Sequence, residues 1–141
     1  MSVRVSERSE SKLEVQEKAE KLVSHTVHIM SNPKVFDPRY SRFHDRIVDC
    51  AVSVGQCLWE ANGIRVEKDP AKYRLRRGLQ DEAIRSINNM FYLMAVARRL
   101  DHLRSRKYSH WVEMTRSVKE LAVAWRDSDA RRYGRLIQGA G

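Results

Sequence analysis

Apolar residues recur at intervals of three and four along four separate segments of the chain, which is the spacing of one face of an α-helix. The first segment runs from about residue 10 to residue 31, and the second from about residue 42 to residue 62. The third covers roughly 35 residues, which as a helix would span about 50 Å. The fourth holds the apolar residues between Trp111 and Trp125. Because no segment shows the alternation typical of strands, the pattern predicts an all-α protein.

Proline, glycine and short polar residues mark where these helices begin and end. Pro33 indicates that the first helix ends near Ser31, because proline is excluded from helix interiors. Asp69 is placed to cap the third helix, with Pro70 in its first turn. The Asn-Gly pair at residues 62–63 is typical of a helix end and closes the second helix.

Four long helices joined by short connections are typical of an antiparallel up-down four-helix bundle. We therefore predict such a bundle over residues 10–127. Residues 1–9 are polar and are predicted to be a flexible N-terminus, and residues 128–141 are predicted to be a basic C-terminal tail.

Two stretches are more apolar than a lone bundle requires. Met90–Ala97 is apolar on every side of the helix, and Cys50–Ala61 is nearly so, whereas a helix of an isolated bundle should have a polar back. We therefore predict a homo-oligomer, although a thick intramolecular core is the alternative. The predicted interface residues are Met90, Phe91, Met94 and Trp59.

Composition narrows the class of protein. The chain has 141 residues, the size of one domain, and its 42% hydrophobic and 32% charged residues exclude a disordered tail and a membrane protein. Its longest apolar run, Met90–Ala97, is much shorter than the about 20 residues that a membrane span needs. Residues 1–14 lack the apolar core of a signal peptide, so we expect a cytoplasmic protein with no membrane partner.

Charge is unevenly distributed along the chain. The formal net charge is +9, yet residues 1–70 are neutral overall, and residues 71–141 hold 16 cations against 7 acidic residues. Thirteen of those cations are arginine, whose planar fork suits phosphate groups. This favours a polyanionic partner over the alternative of a merely solvated helical surface. The predicted nucleic-acid-binding residues are Arg74, Arg76, Arg77, Arg85, Arg98, Arg99, Arg104, Arg106 and Lys107.

The sequence offers little for catalysis or metal binding. No glutamate is followed three residues later by histidine, as a ferritin-like di-metal site requires, and no glycine-rich phosphate loop occurs. His25 and His28 lie one helical turn apart without an acidic partner at ligand spacing, and are interpreted as structural or surface residues. Cys50 and Cys57 are too far apart for a disulfide within one helix and are interpreted as small buried residues. We therefore expect neither metal nor cofactor.

One short motif suggests an enzyme. Arg39 and His44 form Arg-x4-His, which resembles the motif of the HEPN ribonucleases, all-helical dimers. In that family the histidine acts as a base toward a 2′-hydroxyl and the arginine supports the phosphate. Here the motif precedes the second helix, whereas in the family it usually opens a late one. The alternative is that both residues face solvent at a helix start.

A wider pattern of residues is shared with another family. In the second helix it consists of Ile47, Ala51, Val54 and the run Trp59–Asn62. In the third and fourth helices it consists of Tyr73–Ile84, Ala97–Leu100, Tyr108, Trp111, Val118, Leu121 and Ala124–Asp129. Over roughly residues 13–133 the chain resembles the family of the 23S rRNA intervening-sequence proteins and of the accessory variability determinant (Avd) proteins of diversity-generating retroelements. The Avd-like branch is favoured.

This resemblance implies a four-helix bundle that assembles into a ring-like homopentamer with a basic surface. Avd proteins bind nucleic acid and associate with the retroelement's reverse transcriptase, and both are needed to copy template RNA into mutagenised cDNA. The resemblance thus implies a non-catalytic accessory protein whose partners are reverse transcriptase and template RNA or cDNA. An intervening-sequence-like scaffold protein without RNA binding is the remaining alternative.

Overall fold

A computed structural model describes the backbone of residues 2–138 and the side chains of residues 12–138. Within that range all regular structure is helical, and no strand occurs. The all-α prediction is therefore confirmed. The helices are α1 (Ser2–Met30), α2 (Ser41–Asn62), α3 (Pro70–Asp101), α4 (Ser105–Tyr133) and α5 (Arg135–Gln138), with a 3₁₀ turn at Pro38–Tyr40 before α2.

Several helix ends lie where local chemistry predicts them. The Asp69 carboxylate accepts hydrogen bonds from the backbone N–H groups of Ala71 and Lys72, with Pro70 in the first turn of α3. α2 ends at Asn62, as its Asn-Gly sequence predicts. α3 ends where His102 takes a left-handed backbone conformation and its N–H bonds to the carbonyl of Arg98.

Both ends of the described chain are more helical than predicted. α1 already begins at Ser2, so residues 2–9 are helical, and only Met1 of the predicted flexible N-terminus lies outside the described residues. The boundary at residue 127 is wrong as well, because α4 continues to Tyr133 and α5 follows it. The reason is Asp129, which is fully buried and tied to another helix. Residues 139–141 of the predicted tail lie outside the described residues.

Each of the four long helices contacts two others, α1 and α3 each lying against both α2 and α4. Cross-helix bonds join residues that are far apart in sequence. The amide of Asn62 donates to Gln16 at 2.6 Å, and the indole N–H of Trp111 donates to the Thr26 hydroxyl at 3.1 Å. The buried side chains of all four helices form a single apolar core. Its fully buried members include Leu22, Ile47, Leu58, Ile87, Met90, Met94 and Trp111.

The core absorbs part of the predicted oligomer interface. Met90 and Met94 are completely buried within the chain, so their assignment to an intermolecular interface is wrong, and the thick-core alternative holds for them. Phe91 is half-buried, and Trp59 is 60% exposed. Tyr92, inside the run of apolar character, is 69% exposed. A helix packed on two neighbours buries more of its circumference than a surface helix, which explains the breadth of this apolar run.

Candidate nucleic-acid interface

α3 divides the predicted cations into two groups. Arg74, Arg76, Arg77 and Arg85 lie in its N-terminal half, whereas Arg98 and Arg99 lie in its last turn. At a rise of about 1.5 Å per residue, Arg74 and Arg98 are about 36 Å apart along the helix. The nine predicted residues therefore do not form one binding surface, and the two groups differ in what surrounds them.

Arg76 belongs to the core and not to a binding surface. Its side chain is 1% exposed, and its guanidinium donates to the two carboxylate oxygens of Asp129 at 2.7 and 2.8 Å. The carbonyl of Ile64 accepts a third bond, and the ring of Trp125 lies 4.9 Å from the guanidinium carbon. Gln80 also donates to Asp129, at 2.8 Å. The prediction that Arg76 binds nucleic acid is wrong, because its guanidinium is buried and forms a bidentate ion pair with Asp129.

The remaining cations of the N-terminal half lie among acidic side chains. Arg77 lies 3.3 Å from Asp81, which also accepts from Arg126 of α4 at 3.2 Å. Arg85 lies 3.9 Å from Glu82, one turn before it. Arg74 is exposed, and among the described side chains no carboxylate lies within salt-bridge distance of it. This face of α3 is therefore of mixed charge.

The cations around the connection between α3 and α4 have no such partners. We call this set the junction patch; it consists of Arg98, Arg99, Arg104, Arg106 and Lys107. All five are exposed, and within residues 12–138 none has a carboxylate within 4 Å. The guanidinium of Arg98 lies 4.6 Å from the centre of the Tyr108 ring. Lys34 lies nearby, since it lines the same surface depression as Arg104 and Lys107.

The acidic residue that ends α3 does not neutralise this patch. One carboxylate oxygen of Asp101 lies 2.8 Å from Nε2 of His44, and the other accepts from the backbone N–H of Asp37 at 2.8 Å. The Asp101 side chain is completely buried. These bonds join the end of α3 to α2 and to the connection that precedes α2. The neighbouring arginines take no part in them.

Arg39 and His44, the two residues of the ribonuclease-like motif, each have a carboxylate partner. Arg39 binds Asp37 at 2.6 Å, and this bond lowers the pKa of the Asp37 carboxyl. His44 is 5% exposed and contacts Asp101, with the Phe36 ring 5.1 Å away and edge-on. The expectation that both residues face solvent is therefore right for Arg39 and wrong for His44. Neither side chain is therefore free of a carboxylate partner, as binding to a phosphate would require.

A pocket beside the junction patch has no counterpart in the sequence-based predictions. It lies between the end of α1, the start of α4 and the two connections at this end of the bundle, and has a volume of about 230 Å³. Burial lowers the pKa of His25 at its edge, and the nearby His110 and His28 lower it further. Its walls come from separate segments, so periodicity within any one helix could not reveal it. Its lining residues are His25, His28, Ile29, Asn32, Val35, Phe36, Leu103, Lys107, His110 and Trp111.

Metal ligands, reactive cysteines and membrane-spanning helices can each mark a functional site. Within them, no three His, Cys, Asp or Glu side chains come together as a metal site would need. Cys50 and Cys57 are free thiols, and burial raises the pKa of each, which keeps them protonated. None of the described helices combines the length and apolarity needed to cross a membrane.

Comparison with protein-family models, with curated proteins and with solved structures finds no match for this chain. The junction patch is the surface on which the predicted nucleic-acid-binding residues come together without competing carboxylates.

Proposed function

We propose that this protein is a non-catalytic, nucleic-acid-binding accessory protein of a diversity-generating retroelement. In this role it binds template RNA or cDNA and the reverse transcriptase, and so supports mutagenic cDNA synthesis. The observation that carries the proposal is the junction patch, five exposed cations at one end of the bundle that have no carboxylate partner among the described side chains. The sequence resemblance to Avd-like proteins supplies the polymerase partner.

Physical chemistry explains how the patch would hold a nucleic acid. Four of its five residues are arginines, whose guanidinium groups bind phosphate oxygens through paired hydrogen bonds. Each phosphate that is neutralised releases condensed counterions, so the affinity depends on salt concentration. Phosphate contacts carry no direct sequence information. The patch therefore recognises charge and backbone shape.

The helices of this protein are inferred to run up and down in alternation. Contacts pair the start of one helix with the end of another, which supports this topology. His44 in the first turn of α2 meets Asp101 at the end of α3, and Thr26 late in α1 meets Trp111 early in α4. Such a topology brings the connections α1–α2 and α3–α4 to the same end of the bundle, where the junction patch lies.

Assembly into a homopentamer is the second part of the proposal. Exposed apolar side chains on α1 and α2 support it, since Leu13, Val52 and Trp59 are 65%, 43% and 60% exposed. Phe91, on α3, remains a predicted interface residue. A pentamer would carry five times the net charge of the chain, about +45, which strengthens attraction to a polyanion.

Light scattering tests the assembly. It should give the mass of a pentamer for the wild type and a smaller particle for Trp59→Glu. A wild-type monomer at micromolar concentration would contradict the assembly.

The decisive experiment measures RNA affinity across a salt series by fluorescence anisotropy. The test variant is Arg99→Glu/Arg104→Glu/Arg106→Glu in the junction patch. The matched control is Arg74→Glu/Arg77→Glu/Arg85→Glu on the mixed-charge face of α3. Each phosphate contact contributes about −0.7 to the slope of log K against log salt for a single strand, so losing three should flatten the slope by about 2.

We expect the junction variant to lose most of its affinity and the control to keep most of it. Equal affinities of the two variants would place the binding surface elsewhere, and salt-independent binding would contradict the electrostatic mechanism. Binding to the polymerase without any RNA affinity would favour the intervening-sequence-like scaffold. RNA cleavage that disappears in His44→Ala would favour the HEPN-type ribonuclease. That alternative has less support because both motif residues are paired with carboxylates, Arg39 with Asp37 and His44 with Asp101.

A further inference from the structure

The pocket between α1 and α4 adjoins the junction patch directly. Lys107 lines this pocket, and with Arg104 and Lys34 it also lines the neighbouring depression. Because Lys107 lines both, a molecule whose charged part lies across these three cations can extend into this pocket. None of the residues that line the pocket is acidic, so nothing there repels an anion.

The wall of the pocket suits a flat, largely apolar group. Ile29, Val35 and Leu103 are half-buried and line it with aliphatic surface, and the buried rings of Phe36 and Trp111 lie behind them in its wall. The indole N–H of Trp111 is bonded to the Thr26 hydroxyl, so the polar atom of this ring already has a partner. Such surface stacks favourably on any planar ring system.

The edge of the pocket supplies hydrogen-bonding groups that are mostly uncharged. His25, whose pKa is lowered by burial, is neutral at pH 7 and has one donor and one acceptor nitrogen. Asn32 has an amide with both donors and an acceptor. The polar groups of this edge are His25, His28, His110, Asn32 and Lys107, and Lys107 is the one lysine or arginine among them.

We propose that this pocket binds one unpaired base of a single-stranded nucleic acid whose phosphates lie on the junction patch. The inference rests on the proposed function and adds to it, because it names a single strand as the preferred form. The ring stacks on the apolar wall, its edge meets the neutral polar groups, and Lys107 binds the phosphate of the same nucleotide. In a duplex the bases are paired and stacked on one another, so none is available to the pocket.

Three nucleic-acid strands of equal length distinguish binding in the pocket from binding on the patch. They are oligouridylate, oligothymidylate and a fully abasic DNA strand, which keeps the phosphates and lacks the bases. We expect wild-type protein to bind oligothymidylate about tenfold more tightly than the abasic strand, the contribution typical of one stacked base. A comparison of oligouridylate with oligothymidylate then shows whether the pocket prefers template RNA or cDNA.

Filling the pocket should remove this preference. His28→Trp places a large ring at an exposed, pocket-lining position of the last turn of α1. Val27→Trp is the matched control, since it adds the same ring to the neighbouring, exposed residue, which does not line the pocket. We expect His28→Trp to bind oligothymidylate no better than the abasic strand, and Val27→Trp to keep the wild-type preference.

A second measurement does not depend on the folding of a pocket variant. With 5-fluorotryptophan incorporated, the ¹⁹F resonance of Trp111 should shift on addition of oligothymidylate and stay in place with the abasic strand; Trp59→Phe and Trp125→Phe assign the resonances. Equal wild-type affinity for both strands, with no shift, would overturn the base pocket and leave the proposed function standing. Failure of the wild type to bind any of the strands would overturn the proposed function itself.

Discussion

The two ends of α3 carry the same kind of residue in opposite surroundings. Near its N-terminus, Arg76 is buried against Asp129, and Arg77 and Arg85 lie beside carboxylates. Near its C-terminus, Arg98 and Arg99 are exposed and, among the described residues, have no acidic partner within salt-bridge distance. The difference shows that the surroundings of an arginine in this helix depend on the helix that packs opposite it, as for Arg76, and on carboxylates one turn away in the same helix, as for Arg77 and Arg85.

Each end of the bundle nevertheless contains one buried carboxylate that joins helices. Asp129 accepts from Arg76 and Gln80, and so connects α4 to α3 through a permanent cation. Asp101 contacts His44 and accepts from the backbone N–H of Asp37, and so connects α3 to α2. The first arrangement pairs the buried charge of Arg76, whereas at the second the neighbouring cations of the junction patch are exposed.

The largest effect is expected from Asp129→Ala. It leaves the guanidinium of Arg76 buried without its partner, which should lower the free energy of unfolding by about 3–5 kcal/mol. Urea denaturation followed by circular dichroism measures the change. Asp127→Ala, two residues earlier and exposed, is the control and should alter stability by about 0.5 kcal/mol or less. Comparable stability of the two variants would show that the buried pair does not hold α4 against α3.

A smaller loss of stability is expected from Asp101→Ala at the opposite end. It removes the acceptor for His44 and for the Asp37 N–H, which should lower the free energy of unfolding by about 1–3 kcal/mol. The loss is smaller than for Asp129→Ala because the imidazole of a histidine has an uncharged form, whereas a buried guanidinium left without its partner stays charged. Asp45→Ala, at an exposed position of α2 next to His44, serves as the matched control in the same denaturation experiment. The comparison of the two ends fails if Asp101→Ala is the more damaging substitution.

Arg99→Ala should weaken RNA binding and leave folding unchanged. Loss of one hydrogen-bonded phosphate contact corresponds to about 1 kcal/mol, or roughly fivefold in affinity at low salt. Anisotropy titration of labelled RNA measures the affinity, and the midpoint of urea denaturation confirms an intact fold. An unchanged affinity would remove Arg99 from the proposed interface.

The smallest effect is expected from Arg85→Ala on the mixed-charge face. This exposed side chain has only a loose pair with Glu82, so both the stability and the RNA-binding free energy should change by about 0.5 kcal/mol or less. Measured beside Arg99→Ala under identical salt conditions, it tests whether the two ends of α3 differ in function. A larger loss of RNA affinity for Arg85→Ala than for Arg99→Ala would reverse the assignment of the binding surface.

The helix ends show what can be predicted locally. The Asp69 cap and the end of α2 at residue 62 depend on residues within one turn of each other, and both predictions are confirmed. The C-terminal boundary was wrong because the residue that extends α4 into the fold, Asp129, acts through Arg76, which is 53 residues away. A segment rich in Arg and Asp is typical of a solvated tail. Here one of its residues, Asp129, has a buried partner in another helix, which the local sequence does not reveal.

The candidate site shows the same division. Charge counting correctly identifies the second half of the chain as basic, and the junction patch lies within it. It cannot tell the buried Arg76 from its half-buried neighbour Arg77, because both are arginines at adjacent positions of the same helix. The apolar run at Met90–Ala97 likewise does not reveal that Met90 and Met94 pack inside the chain.

The amino-acid sequence by itself determined the helical class, several places where helices begin and end, and the excess of positive charge in residues 71–141. Each of these depends on spacing within a helix, on caps within one turn, or on a simple count. Only the tertiary structure decided which cations are neutralised, which are exposed, and where a pocket with aromatic walls opens beside them. The burial of Arg76 and the walls of the pocket depend on contacts between residues tens of positions apart, which spacing within one helix does not reveal.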